Sequence, residues 1–219
     1  LYVRNYMAKD PISITRKTTV ADALDLMRRH NIRRLPVMEH DELVGIVTDR
    51  DLREISPSPA TSLSIFELNY LLAKAKIGDF FGKKQKVHVI DADAYVEEAA
   101  LLMREHKVGA LPVVSDGKLV GIITETNIFD AFIEIMGLSE EGARISLEAE
   151  DRPGVLAEIT QVIGTAGANI FRVAVFRNSG PTAKVVLRIS CADCDEIVEK
   201  LNNHGYKILT VNTHDEFRP

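Results

Sequence analysis

Gly45-Ile46-Val47-Thr48-Asp49-Arg50-Asp51 recurs 76 residues later as Gly121-Ile122-Ile123-Thr124-Glu125-Thr126-Asn127. Working outward, Leu35-Pro36-Val37 returns as Leu111-Pro112-Val113, and Leu26-Met27-Arg28 with His30 returns as Leu102-Met103-Arg104 with His106. From Val20 to Arg53 the two copies share 14 identities in 34 gapless positions. An internal repeat of this kind decides the architecture before any single element is read.

Within each copy the local signals are consistent. Leu43 to Val47 is a short apolar run suited to a buried strand. Thr48 then reads as the N-cap of a helix that continues into Asp51-Leu52-Arg53. A hydroxyl at the cap and a carboxylate three residues on lie on one side of the first turn. The hydroxyl can meet a phosphate and the carboxylate can accept from ribose hydroxyls. The competing reading leaves Thr48 and Thr124 as helix caps, with Asp51 and Asn127 only assisting them.

These residues resemble the CBS domain: Gly-apolar-apolar-Thr-x-x-Asp/Asn closing a unit of about 60 residues that contains Leu-Pro-Val. The resemblance covers about residues 1–136, as two copies over 1–60 and 61–136. It implies a packed tandem pair, a Bateman module, whose cleft takes an adenosine nucleotide such as AMP, ADP or ATP. The positions it assigns to nucleotide binding are Thr48, Asp51, Thr124 and Asn127, with Ser13 and Pro36. Arg33 and Arg34 stand before Leu35-Pro36-Val37, where many nucleotide-binding copies carry basic residues, whereas the second copy has Gly109-Ala110. They reach phosphate in one reading and are solvated arginines after a helix in the other. If the ligand is a nucleotide, the arginine-lined cleft takes the more anionic species.

Along the chain, Ile12 and Ile14 alternate with Ser13 and Thr15 as in a half-buried strand. Val20, Ala23, Leu24 and Met27 form one helical face. The Pro- and Ser-rich residues 56–62 read as a linker, and residues 65–76 as a helix opening the second copy. The helix expected from Asn127 to Met136 is more apolar than its counterpart, through Phe129, Phe132 and Ile133, and is a candidate packing surface.

After a second linker at 137–142 the pattern changes. Residues 143–213 read strand-helix-strand-strand-helix-strand, a ferredoxin-like split order. With Asp151-Arg152-Pro153-Gly154-Val155-Leu156 and Gly167-Ala168-Asn169-Ile170, this part resembles an ACT domain. The resemblance implies pairing edge to edge and an amino-acid site at the pair interface, lined here by Asp151, Gly154, Val155, Leu156 and Asn169. A turn that binds nothing is the alternative, since fold does not fix function. The expected fold class is therefore α+β or α/β: a tandem CBS pair plus a C-terminal βαββαβ ACT domain. Together the modules resemble the acetoin utilization protein family, which implies a regulatory role in acetoin catabolism through an unknown partner protein.

Composition narrows the function. The 219 residues carry 27 basic and 32 acidic side chains, net −5. Neither half has the basic excess that phosphate-backbone binding needs. Transcriptional or nucleic-acid regulation gated by the same modules is the alternative, and the charge balance counts against it. No apolar run reaches bilayer length. No nucleophile elbow, Walker loop or zinc-protease motif occurs, so the expectation is a non-enzyme without cofactor or metal. Cys191 and Cys194 have the spacing of a redox or zinc half-site. A zinc site would need two further ligands, with His204 and His214 to draw on, and a redox pair belongs at the helix start of a thioredoxin-like unit. With only these two Cys, inside one segment, a disulfide framework is excluded, and the reading taken is a pair without chemistry, in a reducing cytoplasm. A homodimer is expected, since both modules resemble families that pair.

Overall fold

The computed structural model describes residues 1–55, 73–80, 86–138, 141–177, 180–191 and 193–213. The loop expected at 56–62, and residues 65–72 of the helix expected after it, lie outside them. The chain divides into two compact units, Leu1–Ala131 and Phe132–Pro219.

The first unit opens with α1 (Val3–Tyr6), β1 (Ala8–Lys9) and β2 (Ile14–Thr15). It continues with α2 (Val20–Arg29), β3 (Arg34–Glu39), β4 (Glu42–Thr48) and α3 (Asp49–Ile55). After α4 (Ile77–Phe80) come β5 (Ile90–Asp91), α5 (Val96–His106), β6 (Ala110–Ser115), β7 (Lys118–Thr124) and α6 (Glu125–Met136), whose last residues belong to the second unit.

The repeat holds at the level of register. Ile14 pairs with Val37 in a parallel ladder, and Ile90 pairs with Val113 in the same way. Val37 opposes Gly45, and Val113 opposes Gly121. Both hairpins shift register at the equivalent place, after Val37 and after Val113. The cores repeat as well: Val20, Ala23, Met27, Leu35, Val37 and Val47 fill one, and Ala99, Met103, Leu111, Val113 and Ile123 fill the other. Thr19 caps α2, its Oγ1 accepting from the Asp22 N–H at 3.1 Å.

The run expected as one strand around Ile12 and Ile14 is two short strands that serve different sheets. β2 pairs with β3 of its own copy, whereas β1 pairs with β7 of the other, Ala8 opposite Ile122. Val3 is buried in the core of the second copy. In return, the Val20 N–H donates to the Ala75 carbonyl, and Ile77 is buried in the core of the first copy. Each copy is thus completed by the segment that precedes the other.

The second unit is a four-stranded antiparallel sheet in the order β11-β8-β10-β9. Its elements run β8 (Ala143–Glu150), α7 (Val155–Thr165), β9 (Ile170–Arg177), β10 (Thr182–Ile189), α8 (Asp195–Asn203) and β11 (Lys207–Thr213). This is the expected split order. Ile145, Leu147, Leu187 and Ile189 on the sheet pack with Ile159, Ile163, Ile197 and Leu201 of the helices. Cys191 and Cys194 are joined as a disulfide, with Cα atoms 5.8 Å apart, and Cys194 is the N-cap of α8. The exclusion of a disulfide is corrected here. The turn from β10 into α8 brings side chains three residues apart face to face, and it places the pair at a helix start. Among the described residues, no helix is long and apolar enough to cross a membrane.

Candidate functional site: two clefts related by the repeat

Each strand-to-helix turn forms a reciprocal cap. Asp51 Oδ2 accepts from the Thr48 N–H and from Thr48 Oγ1, both at 2.8 Å, and Thr48 Oγ1 accepts from the Asp51 N–H at 3.2 Å. In the second copy Asn127 Oδ1 accepts from the Thr124 N–H at 2.9 Å and from Oγ1 at 2.8 Å. The capping role is therefore realised at both places. It occupies one oxygen of each side chain. What the cap leaves uncommitted differs in kind: a carboxylate oxygen on Asp51, which accepts, and an amide NH2 on Asn127, which donates.

Two cavities lie in the first unit, and the repeat relates them. The first, about 440 Å³, combines Thr48, Asp49 and Arg50 of the first copy with residues 86–88 and 107–110 of the second. The other, about 600 Å³, combines Thr124, Glu125, Thr126 and Asn127 of the second copy with residues 8–12 and 31–34 of the first. Adding 76 to Asp10, Ile12 and Asn31 gives Lys86, His88 and Lys107. The two clefts are thus built from equivalent positions, exchanged between copies.

Arg33 and Arg34 line both cavities, rather than only the first. Arg34 on β3 pairs with Thr48 of β4, which puts it beside the first cap. A Cβ at Gly109 would land 2.5 Å from Arg34 Nη2 and 2.9 Å from Glu125 Oε2, so the guanidinium fills the place of a side chain on the second copy. The contrast between clefts comes from other residues. Arg50, Lys86 and Lys107 add cations to the first, and Asp49 is its one acidic lining residue. Asp10 and Glu125 offset Lys9 and the shared arginines in the second. Sequence reasoning missed Lys86 and Lys107. The signal was present as an exchange of Asp10 and Asn31 for lysines at the repeat offset.

His88 lines the first cleft and stacks on His106 with ring centroids 3.6 Å apart. Burial holds the His88 imidazole below its ordinary value, and the neighbouring His106 and Lys86 charges add to the effect. Of the other expected residues, Thr124 and Asn127 line the second cavity and Thr48 the first. Asp51 is not on the wall of either, nor are Ser13, which is exposed, and Pro36, which is buried. Pro112, the repeat partner of Pro36, lines the first cleft.

In the second unit, Asp151, Gly154, Val155 and Leu156 line a cavity of about 340 Å³. Gly154 has φ +89° as the N-cap of α7, a conformation open to glycine without strain. Asp151 is paired with Arg177 of β9 at 3.0 Å. Arg152 donates to both oxygens of Glu158, at 2.8 and 2.7 Å, and the Tyr206 hydroxyl donates to Glu158 Oε2 at 2.9 Å. The Arg152 guanidinium first, and the Tyr206 hydroxyl second, hold the Glu158 carboxyl down at about 2. Asn169 is not part of this group. It precedes Ile170, which pairs with Ile189, which in turn pairs with Ala143 at the start of β8, whereas the turn follows the end of β8. Within one chain the structure therefore places Asn169 at the opposite end of the sheet. Among the described residues, no group of three or more His, Cys, Asp or Glu side chains is arranged to hold a metal. His214 lies outside the described residues.

Comparison with known proteins agrees with this division. Residues 3–58 and 77–134 match the CBS domain, and residues 141–212 match the TTHA0829-like ACT domain. A CBS domain-containing protein of Dictyostelium discoideum is 35% identical over 136 residues, covering 61% of this chain and 92% of that protein. The crystal structure of a putative acetoin utilization protein (AcuB) from Vibrio cholerae is 29% identical with a TM-score of 0.50, covering 64% of this chain and 95% of that one. A crystal structure of CBSX2 in complex with AMP is 32% identical with a TM-score of 0.49, covering 62% of this chain and 98% of that one.

Proposed function

The chain belongs to the CBS domain family and carries a TTHA0829-like ACT domain behind its tandem pair, and on that premise we propose that it is a non-enzymatic, ligand-sensing regulatory protein whose clefts take adenosine nucleotides. The observation that carries this reading is the first cleft itself. A threonine hydroxyl, four Lys or Arg side chains beyond Arg50 and a half-buried histidine converge on one cavity of about 440 Å³. A nucleoside with one or more phosphates satisfies that set: the phosphates meet the cations, and we assign the ribose diol to the Asp51 oxygen that the cap leaves unused, which a ligand reaches past Thr48 because Asp51 itself is not on the cavity wall. The second cleft, with Asn127 and a nearly balanced charge, suits a less anionic adenosine species.

Regulation requires the ligand to prefer one arrangement of the protein over another, because equal affinity for both shifts nothing. We assign that output to assembly. Phe129, Phe132 and Ile133 of α6 are 66%, 53% and 43% exposed, too much apolar surface on one helix to leave in water without use. A homodimer would bury such surface, and an ACT domain that pairs, or binds an amino acid at the Gly154 turn, would give a partner protein two states to read. Control of acetoin catabolism is the pathway suggested by the likeness to the Vibrio cholerae protein.

Titration calorimetry of the whole chain with AMP, ADP and ATP tests the proposal, with light scattering run beside it. The expected result is saturable binding, tightest for the most phosphorylated species at low salt. A folded protein that shows neither heat nor a melting shift with any of the three at millimolar concentration overturns it.

A further inference from the structure

The sheet of the second unit carries three arginines in one row. Arg144 of β8 pairs directly with Arg188 of β10, and Arg188 pairs directly with Arg172 of β9. Side chains directly opposite in antiparallel strands leave the same face at close range, and like charges so placed destabilise the sheet. Asn212 of β11, opposite Arg144, extends the row with a further polar group. The neighbouring positions Ile145, Leu187 and Ile189 go to the other face, into the helix-covered core. The three arginines are thus concentrated on the face that the two helices leave open.

The row is not simply solvated. Arg188 is 7% exposed, so its charge is largely removed from water. Arg172 donates from Nε to the Ile135 carbonyl and from Nη2 to the Glu134 carbonyl, which anchors it to the last turn of α6. A cavity of about 380 Å³ opens between that turn and the row, lined by all three arginines with Ile135, Met136 and Leu138. Ser146, two residues along β8 from Arg144 and on the same face, is fully buried behind the cavity wall, opposite the lining residue Val186, and among the described residues its Oγ has no hydrogen-bond partner. A buried hydroxyl without a partner costs about 1–3 kcal/mol and calls for an acceptor.

A stripe of guanidinium forks, an orphaned hydroxyl and a cavity of ligand size form one arrangement. We propose that this cavity is a binding site for a small polyanion bearing two or more carboxylate or phosphate groups. Guanidinium forks engage either group through paired N–H donors, and Ser146 Oγ, opposite Val186 of the wall, is a further donor for a group that reaches past the wall. The site belongs to the second unit, whereas both nucleotide clefts belong to the first. It also stands apart from the Gly154 turn, which follows the other end of β8.

The test uses the whole chain with citrate and inorganic pyrophosphate as probes and acetate as the monovalent control, all at one ionic strength. Because pyrophosphate can also meet the cations of the first cleft, calorimetry is expected to show, for at least one polyanion and not for acetate, a site of about one per chain that persists when the clefts are saturated with ATP. Citrate alone assigns the carboxylate class, and pyrophosphate alone the phosphate class. Arg144→Gln, at a half-buried position, is expected to weaken that binding about tenfold, roughly 1.4 kcal/mol. Ser146→Ala is expected to weaken it a fewfold without lowering the melting temperature, so a folded variant is available even if Arg144→Gln unfolds. Arg33→Gln, in the nucleotide clefts, is expected to leave it unchanged. The proposal is overturned if neither polyanion binds beyond acetate. It is equally overturned if Arg33→Gln abolishes binding while Arg144→Gln and Ser146→Ala do not alter it.

Discussion

Asp51→Asn separates the two roles that the Thr48–Asp51 pair can play. In the cap, Asp51 uses Oδ2 alone, accepting from the Thr48 N–H and hydroxyl at 2.8 Å each. Asn127 performs the same task with Oδ1 at 2.9 and 2.8 Å, so this chain already shows that asparagine holds such a turn. The substitution should therefore leave the melting temperature close to that of the wild type, with a change within about 0.5 kcal/mol. Asp51→Ala, by contrast, removes the acceptor and should cost about 1 kcal/mol of stability for the lost cap. What Asp51→Asn does remove is the uncommitted carboxylate oxygen, replaced by an N–H donor that cannot accept from a ribose hydroxyl. A hydrogen bond to a charged group contributes about 1.5–3 kcal/mol. The dissociation constant of the first cleft should thus rise by roughly tenfold to 150-fold, at about 1.4 kcal/mol per decade. Calorimetric titration of ADP into wild type and variant, with thermal melts of both, reads the two quantities separately. An unchanged dissociation constant beside an unchanged melt would show that Asp51 only caps α3, and the ribose assignment would fail.

Three further outcomes follow from the same geometry. Asn127→Ala should weaken the less phosphorylated ligand of the second cleft and leave the first cleft's affinity intact; equal losses at both would mean that the clefts do not bind separately. The Glu158 carboxyl is held at about 2 by Arg152 and Tyr206. Its stabilising contribution should be complete above its ordinary value of 4.5 and fade as the pH falls from there toward 2. Urea melts across that window should show a steeper loss for wild type than for Glu158→Gln, and parallel curves would refute the assignment. Leu111→Ala opens a cavity at a fully buried core position and should cost about 2–5 kcal/mol in chemical denaturation. A loss under about 1 kcal/mol would show that the second copy lacks the packing described.

Much of this was legible in the sequence because periodicity and caps are local properties. The offset of 76 fixed which residues are equivalent, and equivalent residues share register, bulge and core position. Thr48 and Thr124 could be placed at strand-to-helix turns for the same reason. What was not legible depends on how the copies meet. A two-residue strand such as β1 carries no signal for which sheet it joins; that depends on which edge is free, and here the free edge belongs to the other copy. The distance of Asn169 from the Gly154 turn likewise follows from strand direction, which the motif residues alone do not convey.

The least legible feature is the asymmetry at Arg33-Arg34 against Gly109-Ala110. In the sequence it looks like a basic first copy beside a second copy that has lost its phosphate contacts. In the structure, Arg34 Nη2 fills the space that a side chain at Gly109 would need, and both arginines line both cavities. A side chain at Gly109 would require the tips of Arg34 and Glu125 to move, and a second arginine pair at 109–110 would bring four like charges close together, which repulsion opposes. The consequence for the proposed function is direct. Anions bound in both clefts would draw on the same two cations, so filling one would alter the field that the other presents. With Arg50, Lys86 and Lys107 lining only the first cleft, that competition would favour the first. The second would then suit a ligand that recognises Thr124 and Asn127 more than it needs a positive charge.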